Sequence, residues 1–235
     1  MRFSVPIFRL KRQAKLLARD KKIPLHEALD QVAQQEGFRS WSLLAAVASR
    51  PMDSILAELT PGDLVLLGAR PGQGKTLLAL ELVIKAAGKG RRGFFFTLEY
   101  TEDEVLSRLA SLGAEPKSLG NSFSIDTSDK ICADHVIERM KAASRGDVAV
   151  IDYLQLLDQK RQNPELIVQV QALKDFARTS GVIIVLISQI DRSFEHEKDR
   201  LPQISDVRLP NPLDLSLFTK TCFLHEGELR LDAVA

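Results

Sequence analysis

Nine residues constrain this chain more than any other stretch: Gly68-Ala69-Arg70-Pro71-Gly72-Gln73-Gly74-Lys75-Thr76. They follow the apolar run Leu64-Val65-Leu66-Leu67 and precede Leu77-Leu78-Ala79-Leu80-Glu81-Leu82-Val83, so a strand, a glycine-rich turn and a helix are written in order around Gly-Lys-Thr. This is the context of a phosphate-binding loop. Gly72 and Gly74 lack a Cβ, so the backbone can bend tightly and present several N–H groups to phosphate oxygens. The helix that follows adds its own unpaired N–H groups and dipole. Lys75 can then reach the outer phosphates, while the Thr76 hydroxyl is placed to ligate Mg²⁺. A nucleoside triphosphate with Mg²⁺ is the implied ligand, taken as ATP in the reading below, contacted by Arg70, Pro71, Gly72, Gln73, Gly74, Lys75, Thr76 and Leu77. One position departs from the strict pattern, which has glycine where this chain has Ala69.

Three further segments are apolar strands that end in a polar group. Phe94-Phe95-Phe96-Thr97-Leu98 runs into Glu99, Asp147-Val148-Ala149-Val150-Ile151 into Asp152, and Val182 to Ile187 into Ser188-Gln189. In open parallel sheets ligands bind beyond the carboxyl ends of the strands, so these groups are expected to share one crevice with the phosphate loop. Asp152 has the form of a Walker B carboxylate, which holds the Mg²⁺ bound by Thr76. Gln189 has two readings: an amide that orients around the γ-phosphate, or a polar residue that simply ends a strand.

The strands alternate with helical patterns, which gives a mainly parallel α/β sheet with right-handed crossovers. The periodicity predicts helices after the phosphate loop to Ala87, from the Thr101-Glu102-Asp103-Glu104 capping box, from about Asp129 to Ser144, and from Pro164 to Arg178. Phe123 and Ile125 alternate with polar neighbours as a short strand, and Cys222 to His225, Glu226-Gly227 and Glu228 to Leu231 read as a closing hairpin. Between them Asp191 to Pro212 is a long polar loop of nearly balanced charge.

Ahead of the phosphate loop the pattern is purely helical. Apolar Leu10, Ala14, Leu17 and Ala18 recur along Ile7 to Lys21, a second helix opens at Pro24 and ends at Gly37, and a third runs from a Ser40 cap to Pro51. We therefore expect a small all-helical module over residues 1–51 and an ATPase domain over residues 52–235. Residues 1–22 hold eight Lys or Arg and one Asp, a net charge of +7, which leaves −6 on the other 213 residues of this chain of net charge +1. The basic face of the first helix is either solvated or a contact for nucleic-acid phosphates. No apolar run approaches the ~20 residues needed to span a bilayer, and no signal-peptide pattern opens the chain, so a cytoplasmic protein without a membrane partner is expected. Cys132 and Cys222 lack partners at metal-ligand spacing and read as buried thiols.

With these residues in view, the stretch from 54 to about 231 resembles the C-terminal RecA-like ATPase domain of the DnaB-type replicative helicase family. The resemblance is carried by Gly68 to Thr76, Thr97-Leu98-Glu99, Ile151-Asp152-Tyr153-Leu154-Gln155-Leu156, Ile187-Ser188-Gln189-Ile190-Asp191-Arg192-Ser193-Phe194-Glu195 and, more weakly, Ser205-Asp206-Val207-Arg208. That family's loop commonly tolerates alanine at the position of Ala69. The resemblance implies a RecA-like P-loop fold, Glu99 as the base that orients the attacking water, Lys75 and Thr76 as phosphate and metal ligands, Asp152 as the Walker B carboxylate and Gln189 as the γ-phosphate sensor. It also implies a homo-oligomer or protein partner and action on or near DNA.

Two departures from the family pattern shape the expected activity. Its hexamers complete each site with a Lys-x-Arg finger near the C-terminus of a neighbouring subunit, and here Arg230 is followed by Leu-Asp-Ala-Val-Ala without that motif. The family's N-terminal helicase domain is replaced by the small basic module. Since fingers supplied by a neighbour contribute ~10³ to 10⁵ in rate in phosphoryl transfer, slow or conditional hydrolysis is expected. Arg230 from a neighbour is one candidate substitute. The alternative is a nucleotide-gated binding protein, whose ATP-bound conformation is read by a partner.

Overall fold

In the computed structural model, the described residues are 7–48, 52–115, 119–157, 160, 162–191, 194, 201–209, 211–225 and 228–234. Three helices come first: α1 (Ile7–Lys21), α2 (Leu25–Gln35) and α3 (Trp41–Ala48). Leu10, Ala14, Ala28, Val32, Ala33 and Leu44 form a core of their own, which is the apolar stripe the periodicity predicts. The Asp30 carboxylate accepts the Trp41 N–H at 2.7 Å and ties α3 to α2, while the Ser40 hydroxyl accepts the Leu43 N–H at 3.4 Å as the expected cap. Pro51 lies outside the described residues.

The α/β part then runs α4 (Met52–Glu58), β1 (Leu64–Ala69), α5 (Lys75–Gly88), β2 (Gly93–Thr97), α6 (Glu102–Ser111), β3 (Phe123–Asp126), α7 (Ala133–Arg139), β4 (Val148–Asp152), α8 (Leu166–Ser180), β5 (Ile183–Gln189), β6 (Lys220–His225) and β7 (Glu228–Ala233). The strands form one sheet in the order β3-β2-β4-β5-β1-β6-β7. Every neighbouring pair is parallel except β6 and β7. Alternate residues of the central strands serve opposite faces. Val65, Leu67, Phe95, Val150 and Val185 pack on α4, α5 and α6. Leu64, Leu66, Phe96, Ile151 and Leu186 pack on α7 and α8. Burial on both faces explains why these strands read as unbroken apolar runs.

Two expectations change. The helix foreseen over 129–144 is only Ala133–Arg139. Before it, local side-chain bonds compete with the helix: the Asp126 carboxylate takes the Ser128 N–H at 2.9 Å and the Ser128 hydroxyl takes the Lys130 N–H at 3.2 Å. After it, the Asp147 carboxylate captures the Ser144 N–H at 2.8 Å. The short strand expected around Phe123 and Ile125 is present as the edge strand β3, with both side chains packed against the core while all four residues stay half-exposed. The second change is Cys132, which is half-exposed rather than buried because it stands at the N-terminal cap of α7, whereas Cys222 is buried as expected; both are free thiols.

Among the described residues no helix is long and apolar enough to cross a membrane. Of the long loop, residues 192, 193, 195–200 and 210 lie outside the described set, as do Glu226-Gly227 of the hairpin. The rest of the loop folds back as a short 3-10 turn over Ile204–Asp206 and an antiparallel bridge between Ile190 and Val207.

Candidate nucleotide site

The loop after β1 has the backbone that its glycines allow. Gly72 has φ +77° and Gly74, the residue that caps the N-terminus of α5, has φ +87°. An L side chain is strained at both, and a Cβ there meets no atom within 4 Å, so the constraint is conformational rather than packing. Gly68 is a different case: an added Cβ would lie 2.6 Å from the Phe223 ring. Ala69 is fully buried as the last residue of β1, so its methyl group belongs to the core and not to the phosphate cradle.

Strand order brings the four predicted segments together. β2, β4, β5 and β1 are consecutive parallel neighbours, so Glu99 two residues beyond β2, Asp152 at the end of β4, Gln189 at the end of β5 and the loop after β1 all lie along one edge. Thr97 is paired with Asp152 and Ala69 with Gln189. Lys75, Thr76 and Asp152 are buried, Gln189 is half-buried and Glu99 is exposed. Leu77 is 39% exposed in the first turn of α5, which leaves it open to a ligand in the loop.

The centre of this edge is the contact between Thr76 and Asp152. The Thr76 hydroxyl donates to Asp152 Oδ2 at 2.9 Å. Asp152 Oδ1 is buried with no hydrogen-bond partner among the described residues. Burial is the largest influence on this carboxyl and pushes its pKa up to about 6; the Glu99 charge adds to the rise, while the Thr76 bond and the charges of Lys75 and Arg108 oppose it. A buried carboxylate oxygen without a donor, beside a threonine hydroxyl, suits a hard cation that takes oxygen ligands. No cluster of three or more His, Cys, Asp or Glu is present among the described residues, so a cation here would complete its shell with phosphate and water oxygens.

Three groups gain significance only in the folded chain. Arg108, on the solvent side of the α6 pattern, stacks its guanidinium 3.9 Å from the centre of the Tyr100 ring and is near enough for its charge to act on Asp152. Gln155 joins β4, β5 and the 207–209 segment through its side-chain amide. Tyr153 follows Asp152 through a cis peptide bond, and burial, reinforced by the Glu99 charge, raises its phenol pKa. In sequence Arg108 carried only a helix-face signal, and Gln155 and Tyr153 stood inside a family motif without a role of their own. Arg230, by contrast, is engaged within its own chain, with its guanidinium on the Asp232 carboxylate at 2.6 Å and on the Pro202 carbonyl at 3.2 Å.

A mainly parallel sheet between two helical layers, with a glycine-rich loop after an interior strand, is the fold of RecA-like ATPase domains. Among solved structures, one ATPase domain superposes with a TM-score of 0.58 at 21% identity, covering 72% of this chain and 71% of that one. A DnaB-like replicative helicase, described with its interactions with primase, gives 0.61 at 18% identity over 96% of this chain and 73% of that chain.

The family is shown by sequence. The chain belongs to the family of the DnaB-like helicase C terminal domain, whose model matches residues 47–129 and 117–212. Replicative DNA helicase DnaB of Helicobacter pylori is 26% identical over 74% of this chain and 43% of its own length. A probable plasmid replicative DNA helicase of Chlamydia muridarum is 30% identical over 67% of this chain and 42% of its own length. The chain thus spans about two fifths of the length of these curated relatives.

Proposed function

We propose that this protein is a Mg²⁺-dependent ATPase of the DnaB-like type acting on or near DNA, with residues 52–235 as the catalytic domain and residues 1–51 as a basic helical module. The observation that carries the reading is the buried Thr76–Asp152 contact with Asp152 Oδ1 left unpaired, on the same sheet edge as Glu99 and Gln189. Backbone N–H groups of the loop from Arg70 to Leu77 cradle the phosphates, and Lys75 binds them as a point charge. Thr76 and Asp152 would hold Mg²⁺, which would neutralise charge on the phosphates. Exposed Glu99 accepts a hydrogen bond from the attacking water and orients it, while the Gln189 amide senses the γ-phosphate. The α1 cations supply a DNA contact of electrostatic character.

One observation favours a second reading, a nucleotide-gated binding protein with slow turnover. Arg230, the candidate cation for a neighbour's site, is held by Asp232 and the Pro202 carbonyl of its own chain. Steady-state ATP hydrolysis with and without single-stranded DNA, with Lys75→Ala as the blank, separates the two. DNA-stimulated turnover above the blank supports the motor-type ATPase. Tight ATP binding with no turnover above the blank in either condition rejects it in favour of the switch.

A further inference from the structure

We propose that Gln155 is a positioning residue for Gln189, acting through the backbone of β5; the inference deepens the ATPase reading and rests on it for its kinetic arm. The geometry begins where β4 leaves the sheet. β4 and β5 are in register from Val148 opposite Ile183 to Ile151 opposite Leu186, and β4 ends one residue later at Asp152. β5 continues to Gln189 and has lost its neighbour on that side. Its last residues still need partners for their backbone groups.

The segment 206–208 supplies them. The Ile190 N–H donates to the Ala69 carbonyl, so Ile190 faces β1. Consecutive residues of an extended chain direct their backbone groups to opposite sides, so Gln189 and Asp191 face away from β1, toward the place β4 has vacated. There the Arg208 N–H donates to the Gln189 carbonyl at 2.8 Å and the Asp191 N–H to the Asp206 carbonyl at 2.8 Å.

Gln155 closes the junction. Its Nε2 donates to Ser188 Oγ at 2.9 Å and to the Arg208 carbonyl at 2.6 Å, so one side chain from the segment after β4 grips both the end of β5 and the returning segment. The Arg208 carbonyl can only accept, which fixes the amide with nitrogen inward. The Oε1 atom is consequently buried with no hydrogen-bond partner among the described residues. An unpaired buried acceptor is a cost that an apolar side chain of the same length would avoid, so packing alone does not account for glutamine here. Ser188 is fully buried and Gln189 is next to it, opposite Ala69 at the root of the phosphate loop. Small displacements of a positioned group at such a site cost rate more than binding.

The test uses the full chain with Gln155→Met, which keeps length and removes both donors and the unpaired oxygen, and Gln155→Glu, which sets a carboxylate against the Arg208 carbonyl. Expected are melting of the Met variant lowered by no more than about 5 °C, since the Ser188 hydroxyl and the Arg208 carbonyl lose a donor while the unpaired oxygen is removed, affinity for a fluorescent ATP analogue within about threefold, and kcat lowered by about tenfold or more with KM little changed. Hydrogen exchange gives a readout independent of turnover: the Asp191 and Arg208 amides should exchange at least about tenfold faster in both variants. Wild-type kcat in a folded Met variant, or unchanged exchange at those two amides, overturns the proposal. If the wild type itself shows no turnover, the ATPase reading fails on its own account, and the exchange arm alone decides whether Gln155 holds the end of β5.

Discussion

The two edges of the sheet treat their buried carboxylates in opposite ways. At the amino edge Asp63, just before β1, accepts from the Thr60 N–H at 2.7 Å, the Thr60 hydroxyl at 2.9 Å and the Thr219 hydroxyl at 2.8 Å, and pairs with Lys220. Asp147, just before β4, accepts the N–H groups of Arg92 and Ser144, both at 2.8 Å, and the Arg92 guanidinium at 3.0 Å. At the carboxyl edge Asp152 has one hydroxyl donor and, among the described residues, an unpaired oxygen. Burial opposes charge on Asp63 too, but Lys220 and the threonine bonds outweigh it and hold the pKa below the usual carboxylate value, whereas Asp152 is pushed up to about 6. A saturated carboxylate is a structural tie, joining the starts of β1 and β6 or of β2 and β4. Asp152, with an oxygen unpaired among the described residues, keeps capacity for a ligand, which is what the proposed cation site requires.

Glu99→Gln offers the largest test of that contrast. Turnover should fall by ~10² to 10⁴ with ATP affinity nearly unchanged, read by steady-state hydrolysis beside equilibrium binding; retained turnover would move the base elsewhere. Next, Asp63→Asn should cost roughly 3 kcal/mol in urea unfolding, because Lys220 is left half-buried without its counter-charge. A loss below about 1 kcal/mol would mean that the amino edge is no better tied than an ordinary surface pair.

The pH dependence of the Asp63 tie has a definite sign. Its folded pKa is lowered, so its contribution is fully present above the unfolded value near 4 and is lost as pH falls through the folded value. The stability gap between wild type and Asp63→Asn should therefore be flat at neutral pH and narrow below about pH 4. A gap that widens on acidification would reverse the assignment.

Smaller effects sharpen the carboxyl edge. Thr101→Ala removes a capping box in which the Glu104 carboxylate also accepts the Thr101 N–H at 2.8 Å, and should cost about 1 kcal/mol in thermal unfolding. Asp152→Asn, with nucleotide absent and divalent ions chelated, should leave melting unchanged or slightly raised, since it removes a charge that burial penalises. A large loss of stability would class Asp152 with the ties of the amino edge.

Much of the fold was legible because its signals are local. The apolar runs at Leu64, Phe94, Val148 and Ile183, the glycines at 72 and 74 and the capping box at Thr101 each state their conformation within a few residues. Local competition misled at 129–144, where Asp126, Ser128 and Asp147 take backbone groups that helical periodicity alone assigned to one long helix. The candidate site was legible as strand ends but not as a constellation. Arg108 lies 44 residues from Asp152 and Gln155 lies 53 residues from Arg208, separations over which periodicity carries no information.

The sequence by itself therefore determined the strand–loop–helix unit, the polar residue that ends each buried strand and the family to which the chain is similar, because short-range sterics and hydrophobic patterning dictate them. Only the tertiary structure decided that β4 leaves the sheet before β5 ends, and that residues 206–208 and the Gln155 amide fill the gap. Only it, too, left one oxygen of Asp152 without a hydrogen-bond partner among the described residues. Those outcomes depend on which buried polar groups find donors and acceptors once distant strands are laid side by side, and that matching exists only in the folded chain.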